Sequence, residues 1–313
     1  MIRIFSYSRS STRMETPGIS DLTRHLADTD RVIWVDLEDP DDEEMGVLGG
    51  IFGFHVLAAE DCIQGGYLPM INIYDTYAFF VLHAVDFAQI EDQFQTIEVG
   101  FFLGERFLVT HHAKQVKGIF DSRGKVAQNP GTLLNAPDLL LHNIVDAMTD
   151  HYTPAIRALI NRIERVAQSA EVIETLGIEV ARLQQMGKLQ EAVLTRLAQN
   201  NLPFISDPFR IYFKNVETHM IRAVQFSESC AFTLTARQHA RLLDATQQQL
   251  KLERTLTVLG TTLATAICLT LLLDPKISDI ISISDSAWSI GALAFITVVS
   301  LGVAGLFKLK KWF

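Results

Sequence analysis

The spacing of apolar residues changes along the chain, and the first third has the short apolar runs of a sheet. Runs rich in β-branched and aromatic residues predict strands at 31–37, 76–85, 96–103 and 106–112. Between the first two runs, Asp39 or Asp41 is suited to cap a helix whose apolar stripe is Met45, Leu48 and Ile51. Alternating strands and helices predict an α/β domain.

Helical spacing replaces this pattern after Pro137. Residues 138–168 and 172–199 predict two long antiparallel helices joined near residues 169–172. From Phe209 to Leu273 there is no proline and one glycine, Gly260, while the helical period continues. One helix of roughly 100 Å is therefore predicted for this stretch.

Two runs without charged residues lie near the C-terminus, at 255–273 and 286–307. The first reaches roughly 28 Å as a helix, which matches the hydrocarbon thickness of a membrane. The connection between the runs is short, so two spans would form an antiparallel hairpin. Lysine and arginine flank the pair on its outer sides, which places both termini in the cytoplasm. The alternative is a pair of buried core helices.

Composition excludes several classes of function. The net charge of −9 and the scattered basic residues argue against a nucleic-acid partner. Cys62, Cys230 and Cys268 lie too far apart in sequence to suggest a disulfide framework or a thiolate zinc site. The first residues lack the apolar core of a signal peptide, so we expect most of the chain to stay in the cytoplasm. No catalytic motif or phosphate-binding glycine loop is present, so neither an enzyme nor a cofactor is expected.

Several segments carry a family resemblance. They are WVDLEDPDDEEMGVLGGIFGFHVLAAEDC (34–62), YDTYAFFVLHAVD (74–86), VGFFLGERFLVTHH (99–112), YFKNVETH (212–219), LERTLTVLGTTLA (252–264) and FKLKKWF (307–313). Together they resemble the CorA/ZntB superfamily of divalent-cation transporters over nearly the whole chain. The resemblance implies an α+β membrane protein of the inner (plasma) membrane that assembles as a homopentamer.

The resemblance and the apolar pattern together divide the chain into seven parts. We expect a cytoplasmic α/β domain (1–135), a helical hairpin (136–207), a cytoplasmic stalk helix in a funnel (208–254), a first span (255–273), an external loop (274–285), a second span (286–307) and a basic cytoplasmic C-terminus (308–313).

Two positions depart from the family's pattern. Members carry Gly-Met-Asn, or Gly-Ile-Asn in the zinc branch, at the end of the first span, where this chain has Asp274, Pro275 and Lys276. The magnesium channels also place a carboxylate of a regulatory metal site at the start of the stalk, where this chain has Asn215. A neutral amide binds a hard cation less well than a carboxylate does.

The pore and its entrances can be assigned by helical spacing. The pore-lining candidates are Glu253, Leu256, Thr257, Gly260, Thr261, Ala264, Ile267, Cys268 and Leu271, and the entrance-loop candidates are Asp274, Asp279 and Asp285. Such a face would pass a largely hydrated cation. Alternatively, the small residues serve helix packing, Glu253 pairs with Arg254 or Lys251, and the loop is merely solvated.

Histidine is the ligand type that separates zinc sites from magnesium sites. His219 and His239 on the stalk are metal-ligand candidates beside Asn215, and His111 and His112 end a strand. Without a ligand spacing, a lone histidine is more often a hydrogen-bonded surface or core residue than a metal ligand.

The first functional hypothesis is therefore a pentameric transporter of Zn²⁺ and/or Mg²⁺ in the lipid bilayer, with Zn²⁺ favoured because the magnesium features are missing. A magnesium channel is one alternative. A membrane-anchored metal sensor or scaffold without transport is another.

Overall fold

The computed structural model describes residues 1–86, 94–165, 170–199 and 202–273, together with positions 291, 294, 295, 297, 298, 302 and 305. The chain divides into two compact units, Met1–Ala236 and Arg237–Phe313. The seven-part division expected from the sequence stays a prediction.

A seven-stranded mixed sheet forms the centre of the first unit. Its strands are β1 (Ile2–Ser8), β2 (Arg13–Glu15), β3 (Arg31–Glu38), β4 (Met70–Ile73), β5 (Tyr77–Val85), β6 (Thr96–Gly104) and β7 (Phe107–His112). The order is β2-β1-β3-β7-β6-β5-β4, and all neighbours are antiparallel except β3 and β7, which are parallel. The four predicted strands are confirmed, and β1, β2 and β4 are additional.

Nine helices have both ends within the described residues. They are α1 (Ile19–Ala27), α2 (Asp42–Gly50), α3 (Val56–Gln64), α4 (Lys117–Gln128), α5 (Pro130–Leu133), α6 (Pro137–Asp150), α7 (Tyr152–Arg165), α8 (Ala170–Ala198) and α9 (Asp207–Leu273).

Both faces of the sheet are covered. Phe79 and Val81 of β5 pack with α1, α2 and α3, whereas Phe80 and Leu82 point to the other face, where α4, α6 and the start of α9 pack. Because successive side chains of a strand alternate between faces, a strand covered on both sides is mostly apolar. β5 follows this pattern except at His83, whose ring nitrogens lie within hydrogen-bond distance of the Thr96 hydroxyl and the Tyr67 carbonyl.

Asp41, not Asp39, caps α2. Its carboxylate accepts from the Glu44 backbone N–H at 2.8 Å, and the Glu44 carboxylate accepts from the Asp41 N–H at 3.2 Å. This reciprocal pair is a capping box, which satisfies two donors at the helix start.

The first arm predicted for the helical hairpin is two helices, so the prediction of one helix over 138–168 was wrong. α6 ends at Asp150, and α7 begins at Tyr152. Pro154 explains the break, because its ring nitrogen cannot donate to the carbonyl of Asp150 and its ring would clash there. Residues 166–169, which include part of the predicted turn, lie outside the described residues.

α9 confirms the predicted long helix and begins two residues earlier than expected. Its first part is buried through Phe213, Val216 and Met220, which join the core beside α6. Cys230 and Leu234 then pack with α7 and α8. From Thr235 to Cys268, no described side chain is buried.

No helix within the described residues has an apolar stretch long enough to cross a membrane. Of the predicted second span (286–307), only seven separate positions are described, and all are helical.

A buried polar group links the carboxyl ends of β3 and β7. Asp36 Oδ1 accepts from the Thr110 hydroxyl at 2.6 Å and lies 3.1 Å from His112 Nε2, and Arg123 of α4 lies 3.2 Å from Asp36 Oδ2. The neighbouring His111 is mostly buried. Burial and, to a lesser extent, the charge of His112 lower the pKa of His111 to about 4.

Replacing His111 with Gln should flatten the fall in stability at acidic pH. As pH drops through the ordinary histidine pKa of 6.5 toward 4, only the unfolded state takes up this proton, so stability is lost in that window. The loss is at most about 1.4 kcal/mol per pH unit. Urea unfolding at pH 7.5 and pH 5 should show that wild type loses about 1–2 kcal/mol more than H111Q. Equal losses would contradict the assignment.

Gly118 permits the close contact between α4 and α6. A Cβ there would lie 3.2 Å from the Ile144 carbonyl oxygen and 3.3 Å from the Ala147 Cβ, whereas nothing lies within 4 Å of a Cβ at Gly124 of the same helix. G124A should therefore gain about 0.5–1 kcal/mol from helix propensity. G118A should be less stable than wild type because α6 must move away. Chemical denaturation of both variants measures this order, and equal stability for the two would contradict it.

Candidate functional site

The predicted pore-lining residues lie along one stripe of α9, as their spacing requires. Glu253, Leu256, Thr257, Gly260, Ala264, Ile267 and Cys268 are exposed, and Thr261 is partly exposed. Leu271 also belongs to α9, but its side chain lies outside the described residues, as do Asp274, Asp279 and Asp285 entirely. With respect to the described part of the chain, these side chains are therefore open to lipid or to a partner.

The threonines of this stripe hydrogen-bond to the helix itself. The Thr257 hydroxyl donates to the Glu253 carbonyl at 2.7 Å, and the Thr261 hydroxyl donates to the Thr257 carbonyl at 2.9 Å. A hydroxyl has one hydrogen, so each oxygen keeps only lone pairs for other contacts. Such oxygens favour cations over anions.

The three predicted metal ligands on α9 differ in their surroundings. Asn215 and His239 are both exposed on α9. Neither joins a group of potential metal ligands within the described part of the chain. His219 does join one.

His219 meets two carboxylates of α6. Its Nδ1 lies 3.2 Å from Asp150 Oδ1, and one potential ligand atom from each of Asp146, Asp150 and His219 lies within 4.8 Å of the others. Asp146 and Asp150 are four residues apart, so they share one face of the helix. We call these three residues the α6–α9 cluster.

Two contacts nearer the start of both helices set the position of this cluster. Asp138, at the start of α6, accepts hydrogen bonds from the backbone N–H and the hydroxyl of Ser206, just before α9. One turn on, the His142 ring lies 5.3 Å from the Tyr212 ring. The Asp150–His219 contact follows further along both helices. α6 and α9 therefore run side by side in the same direction at this seam.

Burial differs within the cluster. The side chains of Asp150 and His219 are 59% and 34% exposed, so one side of the cluster is open to water. Asp146 Oδ1 is buried, and no hydrogen-bond partner reaches it among the described residues. Burial lowers the pKa of the nearby His142, and the negative charge of Asp146 partly opposes that shift.

Two carboxylates and an imidazole can hold a divalent cation, with water completing the coordination. Sequence reasoning named His219 but missed both aspartates. The available signal was the pair of aspartates four residues apart on a predicted helix.

Comparison with known proteins identifies the family. The family described as "CorA-like Mg2+ transporter protein" matches residues 29–272, well over half of the chain. The chain belongs to the CorA family. The resemblance noted in the sequence is thereby confirmed, and CorA-family proteins are transporters, not enzymes.

Two relatives show how far the likeness extends. YfjQ of Bacillus subtilis (strain 168), named as a candidate metal ion transporter, is 35% identical over 136 residues, which cover 44% of this chain and 41% of YfjQ. The chain therefore matches under half the length of that relative. The cobalt/magnesium transport protein CorA of Thermotoga maritima is 23% identical over 282 residues, 85% of this chain and 78% of that protein.

Solved CorA-family structures share the fold. The complete structure of the CorA magnesium transporter from Methanocaldococcus jannaschii superposes with a TM-score of 0.77 at 17% identity, covering 100% of this chain and 99% of that one. The ZntB cytoplasmic domain from Vibrio parahaemolyticus gives 0.60 at 13% identity, covering 79% and 99%. At these identities the likeness shows the α/β domain and the long helix.

Proposed function

We propose that this chain is a divalent-cation transporter of the CorA type. The observation that carries the proposal is the exposed surface of α9 between Thr255 and Cys268, which has no charged side chain. This surface lies inside the segment that matches the CorA family. A large exposed apolar surface marks a site where lipid or another protein binds.

The proposed membrane part is a hairpin of two spans, 255–273 and 286–307. Neither sequence run contains a charged residue, and basic residues flank the pair on the outer sides. The positive-inside rule then places both termini in the cytoplasm and the loop 274–285 outside. We assign the protein to the inner (plasma) membrane.

Two spans enclose no pore, so transport requires several copies around one axis. We propose a homopentamer in which the stalk segments form a funnel and the stripe from Glu253 to Leu271 faces the pore. Exposed Leu242, Leu243 and Leu250 precede the span on α9 and would be covered by neighbouring stalks. The lone-pair oxygens of Thr257 and Thr261 suit a hydrated cation.

Zn²⁺ is the ion that we propose, with Mg²⁺ as the alternative. The Gly-Met-Asn signature of magnesium members is replaced in register by Asp274, Pro275 and Lys276, and their regulatory carboxylate by Asn215. Among the fold neighbours is a ZntB domain. The description of the family and the name of the Thermotoga relative favour Mg²⁺.

A second candidate function is a membrane-anchored metal sensor without transport. The α6–α9 cluster favours it, because this potential cation site lies away from the proposed pore stripe in sequence and belongs to the first unit. The two candidates differ in whether divalent ions cross a membrane.

The purified full-length chain, reconstituted in liposomes, should pass Zn²⁺ into vesicles that contain a zinc-sensitive dye. Protein-free vesicles and vesicles with a magnesium-sensitive dye are the controls. Flux of Mg²⁺ alone would overturn the zinc assignment. No flux of any divalent cation would overturn the transporter proposal and leave the sensor.

Glu253→Gln should slow cation entry by about threefold or more at low ionic strength, because a ring of carboxylates concentrates cations at the pore mouth. The difference should shrink in high salt. Asp244→Asn is the matched control, since Asp244 is also exposed on α9 and, nine residues away at about 100° each, lies on the opposite side. Equal rates for the two variants would exclude the ring.

A further inference from the structure

We propose that Asp36 and the Lys114 carbonyl hold His112 as an imidazolium, and that its proton fastens α4 to the ends of β3 and β7 in a pH-sensitive junction. The contacts that carry the proposal all lie inside Met1–Ala236. The junction does not require transport.

The first support is the pair of atoms that the His112 ring faces. Its Nδ1 lies 2.6 Å from the Lys114 carbonyl oxygen, and its Nε2 lies 3.1 Å from Asp36 Oδ1. A carbonyl oxygen only accepts hydrogen bonds, so Nδ1 carries a hydrogen. An ionised carboxylate also only accepts, so Nε2 must carry a second hydrogen. A ring with hydrogens on both nitrogens is an imidazolium.

The surroundings of Asp36 keep its carboxylate ionised. The Thr110 hydroxyl donates to Oδ1 at 2.6 Å, and Arg123 lies 3.2 Å from Oδ2. A donor and a positive charge at these distances both favour the carboxylate form. The hydrogen between Asp36 and His112 therefore belongs to the ring.

His83 is a contrasting histidine in the same sheet. Its Nε2 lies 2.8 Å from the Tyr67 carbonyl oxygen, but its Nδ1 lies 3.0 Å from the Thr96 hydroxyl. Because a hydroxyl can donate, a neutral ring satisfies both contacts. Burial lowers the pKa of His83, which favours the same neutral form. Of these two buried histidines, only His112 needs the extra proton.

The second support is burial of the His112–Asp36 pair. Both side chains are fully buried, and Asp36 Oδ2 accepts no hydrogen bond from the described residues. Without the proton, the Nε2 lone pair and Asp36 Oδ1 would face each other. Two unpaired acceptors in a buried site are unfavourable, and no bulk water reaches them here to compensate.

Charged groups on three neighbouring elements act on this proton. Glu38 lies opposite His112 in the register of β3 and β7 and favours the positive ring. Arg3 of β1 and Arg123 of α4 both pair with Glu38 and oppose a further positive charge. Because these influences have opposite signs, the proton is held but can be released.

The remaining contacts of the ring carry no opposing charge. On β6, the register partner of His112 is the apolar Val99. The Lys114 ammonium pairs with Asp86 at 3.1 Å. On this face of the sheet, α6 contributes apolar core side chains, namely Leu140, Leu141, Ile144, Val145 and Met148.

His111 does not share this role, although it is the next residue. Successive side chains of a strand point to opposite faces, so its ring lies on the other side of the sheet. Burial, more than the charge of His112, lowers the pKa of His111 to about 4. Histidines usually change charge between about pH 5 and 8. In that range, a change of charge at the end of β7 therefore belongs to His112.

Loss of the proton would act on α4 at two places. The Lys114 carbonyl lies in the connection from β7 to α4, and Asp36 together with Glu38 holds Arg123 of α4. Separation of His112 from Asp36 disturbs both anchors. Stabilisation by a proton bound in the closed junction is present at low pH and is lost as pH rises. We therefore expect α4 to loosen on the alkaline side.

The first measurement is deuterium exchange at the C2 position of each imidazole, which follows the protonation state of the ring. It is read by mass spectrometry of the full-length protein in detergent, and fragmentation of the peptide separates His112 from His111. We expect His112 to keep its proton to higher pH than His83 and His111, which are the internal controls.

The second measurement is amide exchange of α4 at about pH 6 and about pH 8, corrected for the intrinsic rise of exchange with pH. Protection of α4 should fall by about tenfold in wild type, because one proton changes a stability constant by at most about tenfold per pH unit. His112→Gln can still donate to Asp36 but does not titrate, so it should remove this pH dependence. His83→Gln is the matched control and should keep it.

A C2 exchange profile of His112 like that of His83 would overturn the proposal, whatever the stability of the variants. Constant protection of α4 while His112 loses its proton would overturn it as well. So would the same pH dependence of α4 in H112Q as in wild type. Neither measurement involves flux, so absence of transport would count only against the transporter proposal.

Discussion

Burial of one face of α9 over its first turns is the constraint on which the rest of the first unit depends. Phe213, Val216 and Met220 are fully buried, and each contributes about 1.5–3 kcal/mol by leaving water. This packing sets the register of α9 on α6. It brings His219 to Asp150, although the two residues are far apart in sequence.

Beyond Leu234, the side chains of α9 are no longer buried. None of the described side chains from Thr235 to Cys268 is buried, and leucines are prominent among them. Propensity alone rarely stabilises a long helix in water, and most helical stability comes from packing of an apolar face. The later part of α9 therefore needs a surface that the described residues do not supply, which is consistent with assembly in a membrane.

The sequence predicted those strands and helices whose own residues carry a clear composition or spacing pattern. β3, β5, β6 and β7 are rich in β-branched and aromatic residues, and α9 is free of proline after its first turn. β1 was missed because Ser6 and Ser8 give it a polar appearance. In the fold, these serines are buried and hydrogen-bonded to His25 and Asp30. β4 is only four residues long, too short for a period to show. Pro154 is the sequence signal for the break between α6 and α7, which apolar spacing alone does not show.

The α6–α9 cluster could be predicted only in part, because it joins residues from two helices. Helical spacing placed His219 on α9, but nothing local indicates that α6 lies against it. The Asp138–Ser206 contact and the buried core set that arrangement. Both join residues that are far apart in sequence, so no local pattern predicts them. The pore stripe, in contrast, follows from one helix and stays a prediction until its partners are known.

Native mass spectrometry of the full-length protein in detergent tests most directly whether further copies cover the exposed part of α9. An assembly of five chains is the expected result. A monomer would contradict the account.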